Sequence, residues 1–391
     1  MDDRIIYLDN AASTPMRPEA VEAMMPYLAE VYANPSGSHR FARRARRAID
    51  EARDEVAEVI GVHPNEVVFT GCGTESDNTA ITGAVKRTGG VSVCSAAEHH
   101  AVLHVVESHD GTVVPVDRFA RIDLDALADV LDAHRDEGRT VGIVSVMAVN
   151  NEVGTITDIA AVSAVVRRHA PDALLHTDAV QAPSWVDLRT ISPHVDLVSL
   201  SAHKFGGPKG VGILVERGGP RVDPLIIGGG QERERRSGTH NVGGIVAAAT
   251  ALRLTDTERT AENERLTILR DRLVDGLVGR LDDVVETIPR DEQAKAAGSA
   301  HVCVGGVESE SLLFLLDEAG VCASAASACA SGAMEPSHVL AAMGVDRAVA
   351  LGALRLTLGH STTEADVDSG SEAIVNAVTR LRSHSGVGAA S

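Results

Sequence analysis

Six short apolar runs, each closed by a polar or glycine-rich turn, constrain this chain more than any other feature. They are EVVFT (66–70), VSVCS (91–95), VGIVSVMAV (141–149), ALLHT (173–177), DLVSLS (196–201) and GVGILVE (210–216). Each is rich in Val, Ile and Leu, the pattern of strands buried on both faces. Helical periodicity fills most intervals between them. Strands alternating with helices predict an α/β fold built on an open, mainly parallel sheet. From about Asp256 to Leu281 the register is helical, with Leu266, Leu269, Leu273 and Leu277 on one stripe. HVCV (301–304), a helix around SLLFLLDEAG and the run LRLTL (354–358) then predict a smaller α+β unit. A last helix is expected near Thr363, capped with Asp366. The expected division is a large domain over 15–255, a small one from 1–14 with 256–382, and a disordered tail over 383–391.

Charge and cysteine usage exclude several classes of protein. The net charge of −19 disfavours nucleic acid and anionic membrane as partners, because phosphate attraction needs clustered positive charge. The one basic run, RRARR (43–47), sits in a helical pattern with Ala42, Ala45, Ile49, Ala52 and Val56 on the other face, so it reads as a wet helix side. No apolar run reaches the ~18 residues of a membrane span. MDDRIIYLDN lacks the basic and apolar regions of a signal peptide, so a cytoplasmic protein is expected. The five cysteines form no CxxC and are odd in number, so neither a disulfide framework nor a metal site is expected.

In open α/β sheets ligands bind outside the carboxyl ends of the strands, so the residues after each run hold the interest. After EVVFT comes GCGTESDN, a glycine turn into a helix. Gly73 and Thr74 there can cradle a phosphate, or simply make a strand–helix turn. After VSVCS stand His99 and His100, acid, base or stacking candidates, or ordinary surface residues. After VGIVSVMAV come Asn150 and Asn151. After ALLHT come Asp178 and Gln181, where a carboxylate can pair with a cationic ring nitrogen or cap a helix. After DLVSLS come Ser201, His203 and Lys204. Only four of the 36 basic residues are lysines, so Lys204 stands out. Arginine keeps its proton, whereas a partly desolvated lysine loses it and becomes a nucleophile. A phosphate cradle, a ring-stacking group, a carboxylate and a lysine on one sheet edge match pyridoxal 5'-phosphate, bound as a Schiff base to Lys204. Downstream, Cys329 lies among small residues in SAASACASG, as a reactive thiol or a small packed one. Arg355 interrupts an apolar run and wants a carboxylate, from a substrate or from the protein.

These residues stand in motifs that resemble the cysteine desulfurases of the NifS/IscS type, in the class V aminotransferase family. The matching stretches are YANPSGSH, FTGCGTESDN, EHHAVL, VNNEVG, HTDAVQA, SAHKFGGPKG, GGGQERERRSGT, SACASGAMEPSHVL and LRLTLG, spread over nearly the whole chain. The resemblance implies a fold-type I enzyme, with a large cofactor domain and a small domain, working as a homodimer. It implies that Lys204 carries the cofactor, His99 stacks on the ring and assists proton transfer, and Asp178 pairs with the ring nitrogen. Gln181 and Asn151 would address the ring hydroxyl. Gly73, Thr74, Ser201 and His203 would bind the phosphate, joined by Thr239 from the other subunit. Asn34 and Arg355 would hold the substrate carboxylate. Cys329 would take sulfur from L-cysteine as a persulfide, leaving L-alanine. The sulfur would pass to an iron–sulfur scaffold or a tRNA-thiolation enzyme. A selenocysteine lyase or another class V enzyme acting on a small amino acid is the alternative. The other four cysteines are assigned to packing. One departure is local: the family usually reads Ser-Ser-Gly-Ser-Ala-Cys at the thiol, and this chain reads Ser324-Ala325-Ala326-Ser327-Ala328-Cys329. Losing that glycine is expected to stiffen the loop.

Overall fold

The structure, a computed structural model, describes residues 5–290, 294–325 and 337–385. Twelve strands run through the described residues. In chain order they are β1 (Ile6–Tyr7), β2 (Val67–Thr70), β3 (Val91–Ser95), β4 (Thr112–Val114), β5 (Val141–Ser145), β6 (Leu174–Asp178), β7 (Leu197–Ser201), β8 (Gly212–Glu216), β9 (Val284–Glu286), β10 (Ser299–Val304), β11 (Val321–Cys322) and β12 (Ala353–Thr357).

Seven of them form the large sheet, ordered β2-β8-β7-β6-β5-β3-β4. The pairs from β4 through β7 are parallel, and β8 runs antiparallel to both β7 and β2. Every residue of β5, β6, β7 and β8 is buried, which is why these runs carry apolar residues on both faces. Helices Gly73–Thr88, His100–Ser108, Leu124–Asp136 and Ile159–His169 connect successive strands. Two of them start on aspartate caps: Asp123 accepts the N–H groups of Asp125 and Ala126, and Asp158 accepts that of Ala161. The predicted α/β class with a mainly parallel sheet is what the chain adopts.

The expected elements shift at particular points. The run 141–149 is a strand only as far as Ser145, because Asn150 turns the chain by accepting the N–H groups of Glu152 and Val153. The helix expected from Asp256 is already helical from Val242 and runs unbroken to Val278. It packs Ala247 and Leu252 into the core under the large sheet, and Leu266, Leu269, Leu273 and Leu277 into a second core. That second core closes around the antiparallel sheet β12-β10-β9, with Ile6 and Leu8 from the N-terminal segment. The closing helix Glu364–Ser385 begins at the expected cap, where Thr363 Oγ1 and Asp366 Oδ2 lie 2.6 Å apart. It includes residues 383–385, and 386–391 lie outside the described residues. The face with Arg43, Arg44, Arg46 and Arg47 is exposed, as expected for RRARR. No helix among the described residues is long and apolar enough to cross a membrane.

Candidate active site

The strand ends converge on an open cleft. Its walls include Gly73, Thr74, His99, Asn151, Asp178, Gln181, Ser201, His203, Lys204 and Arg355. Ten of the thirteen singled-out residues are thus brought together. Asn34 is not on this wall: it is exposed, and its Oδ1 accepts the Ser36 N–H. Thr239 lines a separate depression with Gly71, Arg236 and His240. Cys329 lies outside the described residues.

Lys204 follows β7 in a short 3-10 turn, and its Nζ donates to the carbonyls of Ala11 and Ala12 at 2.6 and 3.0 Å. Burial lowers its pKa to about 8, helped by the nearby Arg355, while Asp178 and Asp9 pull the other way. The amine is therefore far closer to its nucleophilic form than an exposed lysine. Asp178 ends β6, buried, with its Oδ1 accepting the Val180 N–H at 2.9 Å. Burial pushes its carboxyl up, and that hydrogen bond and the Lys204 charge push back.

His99 precedes the helix His100–Ser108, and its Nδ1 accepts the Ala101 N–H at 3.1 Å. Burial, then the Lys204 charge, lowers it to about 4, so the ring is neutral at pH 7. With Nδ1 accepting, the ring proton sits on Nε2. His203 is likewise lowered to about 4 by burial and by Lys204.

The helix Gly73–Thr88 opens into the same cleft, and no side chain caps its start. Its first N–H groups and dipole therefore face the space beside Thr74, Ser201 and His203. A Cβ on Gly73 would come within 2.7 Å of Val180 Cγ2 and 3.2 Å of Ser201 Cβ, so glycine lets the helix start press against the strand end. An amine, a ring-facing imidazole, a floor carboxylate and an uncapped helix start fit an aldehyde, an aromatic ring, a ring nitrogen and a phosphate. The residues present fit pyridoxal phosphate.

Some cleft residues were not foreseen. Asp9, in YLDNAASTP, pairs with Arg355 Nη2 at 2.7 Å, while Arg355 Nη1 donates to the Asn151 carbonyl at 3.0 Å. Arg355 therefore has a protein carboxylate beside it, and its buried Nε has no partner among the described residues. Glu152, in NNEVG, lines the cleft, accepts a hydrogen bond from Ser337 Oγ and is pushed up by burial. Cys72 corrects the expectation of packing for all four remaining cysteines: it is exposed and lines the cleft. It is the N-cap of the helix Gly73–Thr88, which opens into the cleft, so its side chain is left at the cleft surface. Cys94 and Cys303 are buried, as expected, and Cys322 is partly buried.

The comparisons with known proteins agree with this geometry. The family model for aminotransferase class V matches residues 6–369. An IscS-like cysteine desulfurase of Mycobacterium tuberculosis is 43% identical over 388 residues, covering 96% of this chain and 97% of the relative. A cysteine desulfurase IscS of Methanosarcina thermophila is 41% identical over 392 residues, covering 98% and 94%. A solved structure of a NifS-like protein superposes with a TM-score of 0.88 at 34% identity, over 96% of this chain and all of that one (100%). The chain belongs to the class V aminotransferase family and, within it, to the cysteine desulfurases of the NifS/IscS type.

Proposed function

We propose that this enzyme uses pyridoxal phosphate to take sulfur from L-cysteine onto Cys329, releasing L-alanine. The observation that carries the reading is the convergence of a lysine amine lowered to about 8, a buried carboxylate and a neutral imidazole on one cleft. Held by Lys204, the cofactor would supply an electron-withdrawing ring that stabilises negative charge at the substrate α-carbon. Asp178 holds the ring nitrogen. Gly73, Thr74, Ser201 and His203 bind the phosphate, and Gln181 and Asn151 address the ring hydroxyl. Thr239 reaches the phosphate of a second subunit. That role accords with its place outside this chain's own cleft.

His99 would stack on the ring, with its Nε2–H available to a developing charge. Arg355 holds the substrate carboxylate through the side that Asp9 leaves open, with Asn34 as the second group assigned to it. Lys204 Nζ, freed once the substrate amine takes its place, would take the α-proton and return a proton to the product. The Cys329 thiolate attacks the substrate sulfur. The carbon–sulfur bond breaks with its electron pair left on carbon, and a sulfur–sulfur bond forms on Cys329. That carbon then takes up a proton, which completes L-alanine.

The division into a large domain (15–255) and a small one (1–14 with 256–382) is supported by the two cores that the long helix joins. Homodimerisation is supported by exposed apolar side chains at Met25, Leu28, Tyr32 and Ile227. We place the enzyme in the cytoplasm, handing its persulfide to a protein acceptor such as an iron–sulfur scaffold or a tRNA-thiolation enzyme.

The test is release of sulfide and alanine from L-cysteine under reductant. The parent should release the two in equal amounts. Cys329→Ala should keep its bound cofactor and lose turnover. Sulfur elimination persisting in Cys329→Ala would reject the persulfide route.

A further inference from the structure

The cleft floor includes a buried polar group that the mechanism above does not use. Asp77 sits in the first turns of the helix Gly73–Thr88, where that helix packs on β6 and β7 at the cleft. Among the described residues no arginine or lysine pairs with it. His176 Nε2 lies 3.6 Å from Asp77 Oδ1. That oxygen has no hydrogen-bond partner among the described residues. His176, wholly buried, stands between two hydroxyls: Ser199 Oγ at 2.9 Å from Nε2 and Ser145 Oγ at 2.8 Å from Nδ1. Ser199 also abuts Asp77 and is the register partner of Asp178 across β6 and β7. A chain of Asp77, Ser199, His176 and Ser145 therefore passes directly behind the carboxylate assigned to the ring nitrogen.

The charges around this chain decide its protonation. Facing Asp77 are Asp178, Glu98, Cys72 and His176. Burial pushes Asp77 and Glu98 well above the usual carboxylate range, and Asp178 adds to both. Burial holds His176 near pH 3, so at neutral pH it is uncharged and cannot balance a carboxylate. Two adjacent buried carboxylates cannot both ionise without a cation for each. Asp178 has the Val180 N–H and the Lys204 charge to favour its anion. Asp77 has one hydroxyl and a neutral ring.

We propose that Asp77 is a positioning residue that holds a proton at neutral pH, kept in place by the Ser199–His176–Ser145 relay, so that Asp178 is the single charged carboxylate beneath the ring. This rests on the assignment of Asp178 to the ring nitrogen.

The test uses the cofactor-loaded enzyme and two spectroscopic readouts. In the infrared difference spectrum of parent minus Asp77→Asn at neutral pH, one carbonyl stretch of a protonated carboxylic acid should appear, beyond any that Glu98 and Glu152 contribute equally to both proteins. The visible absorbance of the lysine-bound cofactor, titrated with pH, should stay within about 0.3 pH units of the parent in Asp77→Asn, because one neutral group replaces another. The same substitution at Asp178 should move that titration by about one unit or more. Should Asp77→Asn not fold, Ser199→Ala serves: it should shift the acid band without removing it. Absence of any acid band lost in Asp77→Asn overturns the proposal, as does a band unmoved by Ser199→Ala. So does an absorbance titration moved as far by Asp77→Asn as by Asp178→Asn. If Asp178→Asn leaves the titration unmoved, the Asp178 assignment fails, and the role of Asp77 falls with it even where its acid band is seen.

Discussion

Two buried charge clusters in this molecule have similar burial and opposite behaviour. At the cleft floor, Asp77, Glu98 and Asp178 are all pushed upward by burial. At the loop 231–240, Glu232 is also buried, and burial again favours its neutral form, but hydrogen bonds from His240 and Arg53 outweigh it and hold the carboxyl at about 2. Arg53 meets Glu232 through two bonds of 2.6 and 2.7 Å, and the Phe69 N–H and His240 Nε2 complete the set at 2.9 and 2.8 Å. The difference is an arginine. A matched buried pair holds a shape, whereas a set of unmatched carboxylates stores the capacity to bind a cation or a proton.

The shape held at Glu232 is strained. Glu232, Arg233 and Glu234 have successive φ values of 49°, 57° and 66°, in the left-handed region that side chains avoid. The same loop carries Arg236, which pairs at 2.8 Å with Glu75 in the first turn of the helix Gly73–Thr88, and then Thr239. The ion pair thus anchors a segment whose backbone would otherwise relax.

The comparison is broken or sharpened by three measurements. Lys204→Ala, which removes the cation of the unmatched cluster, should cut desulfurase turnover more than about a thousandfold and abolish the visible cofactor absorbance. Its thermal midpoint without cofactor should stay near that of the parent; a collapsed fold would place Lys204 with the structural cluster instead. Glu232→Gln should do the reverse. It leaves Arg53 buried without a counter-charge and should cost about 3–5 kcal/mol in denaturant unfolding. Because the folded pKa lies below the ordinary 4.5, that stabilisation is present above about pH 4.5 and is lost as pH falls toward about 2. Unchanged stability in Glu232→Gln would remove the distinction between the clusters. The smallest effect is kinetic. Loading of cofactor-free protein with pyridoxal phosphate should quicken as pH rises through about 8, where Lys204 loses its proton, and then level off. A rise continuing toward the ordinary lysine value of 10.5 would mean that Lys204 is better solvated than its surroundings imply.

Much of the site was legible because it lies at strand ends. Asp178, Ser201, His99 and Gly73 each follow or close an apolar run within a few residues, and the sheet brings those ends together whatever the helices do. Asp77 was not legible. A polar residue in ESDN reads as the wet side of a helix, and only the packing of that helix on β6 and β7 turns it inward. Arg53 in the helix Arg40–Ile60 reads as another exposed arginine among many, yet its partner lies 179 residues away. Asp9 and Arg355, 346 residues apart, are the same case.

The sequence by itself determined the class of fold, the strand ends that carry chemistry and the family, because apolar periodicity and contiguous motifs are local properties of a chain. Only the tertiary structure decided which charges are matched. Whether a carboxylate keeps its proton depends on the water removed from it and the cation brought beside it, and both are set by segments distant in the chain.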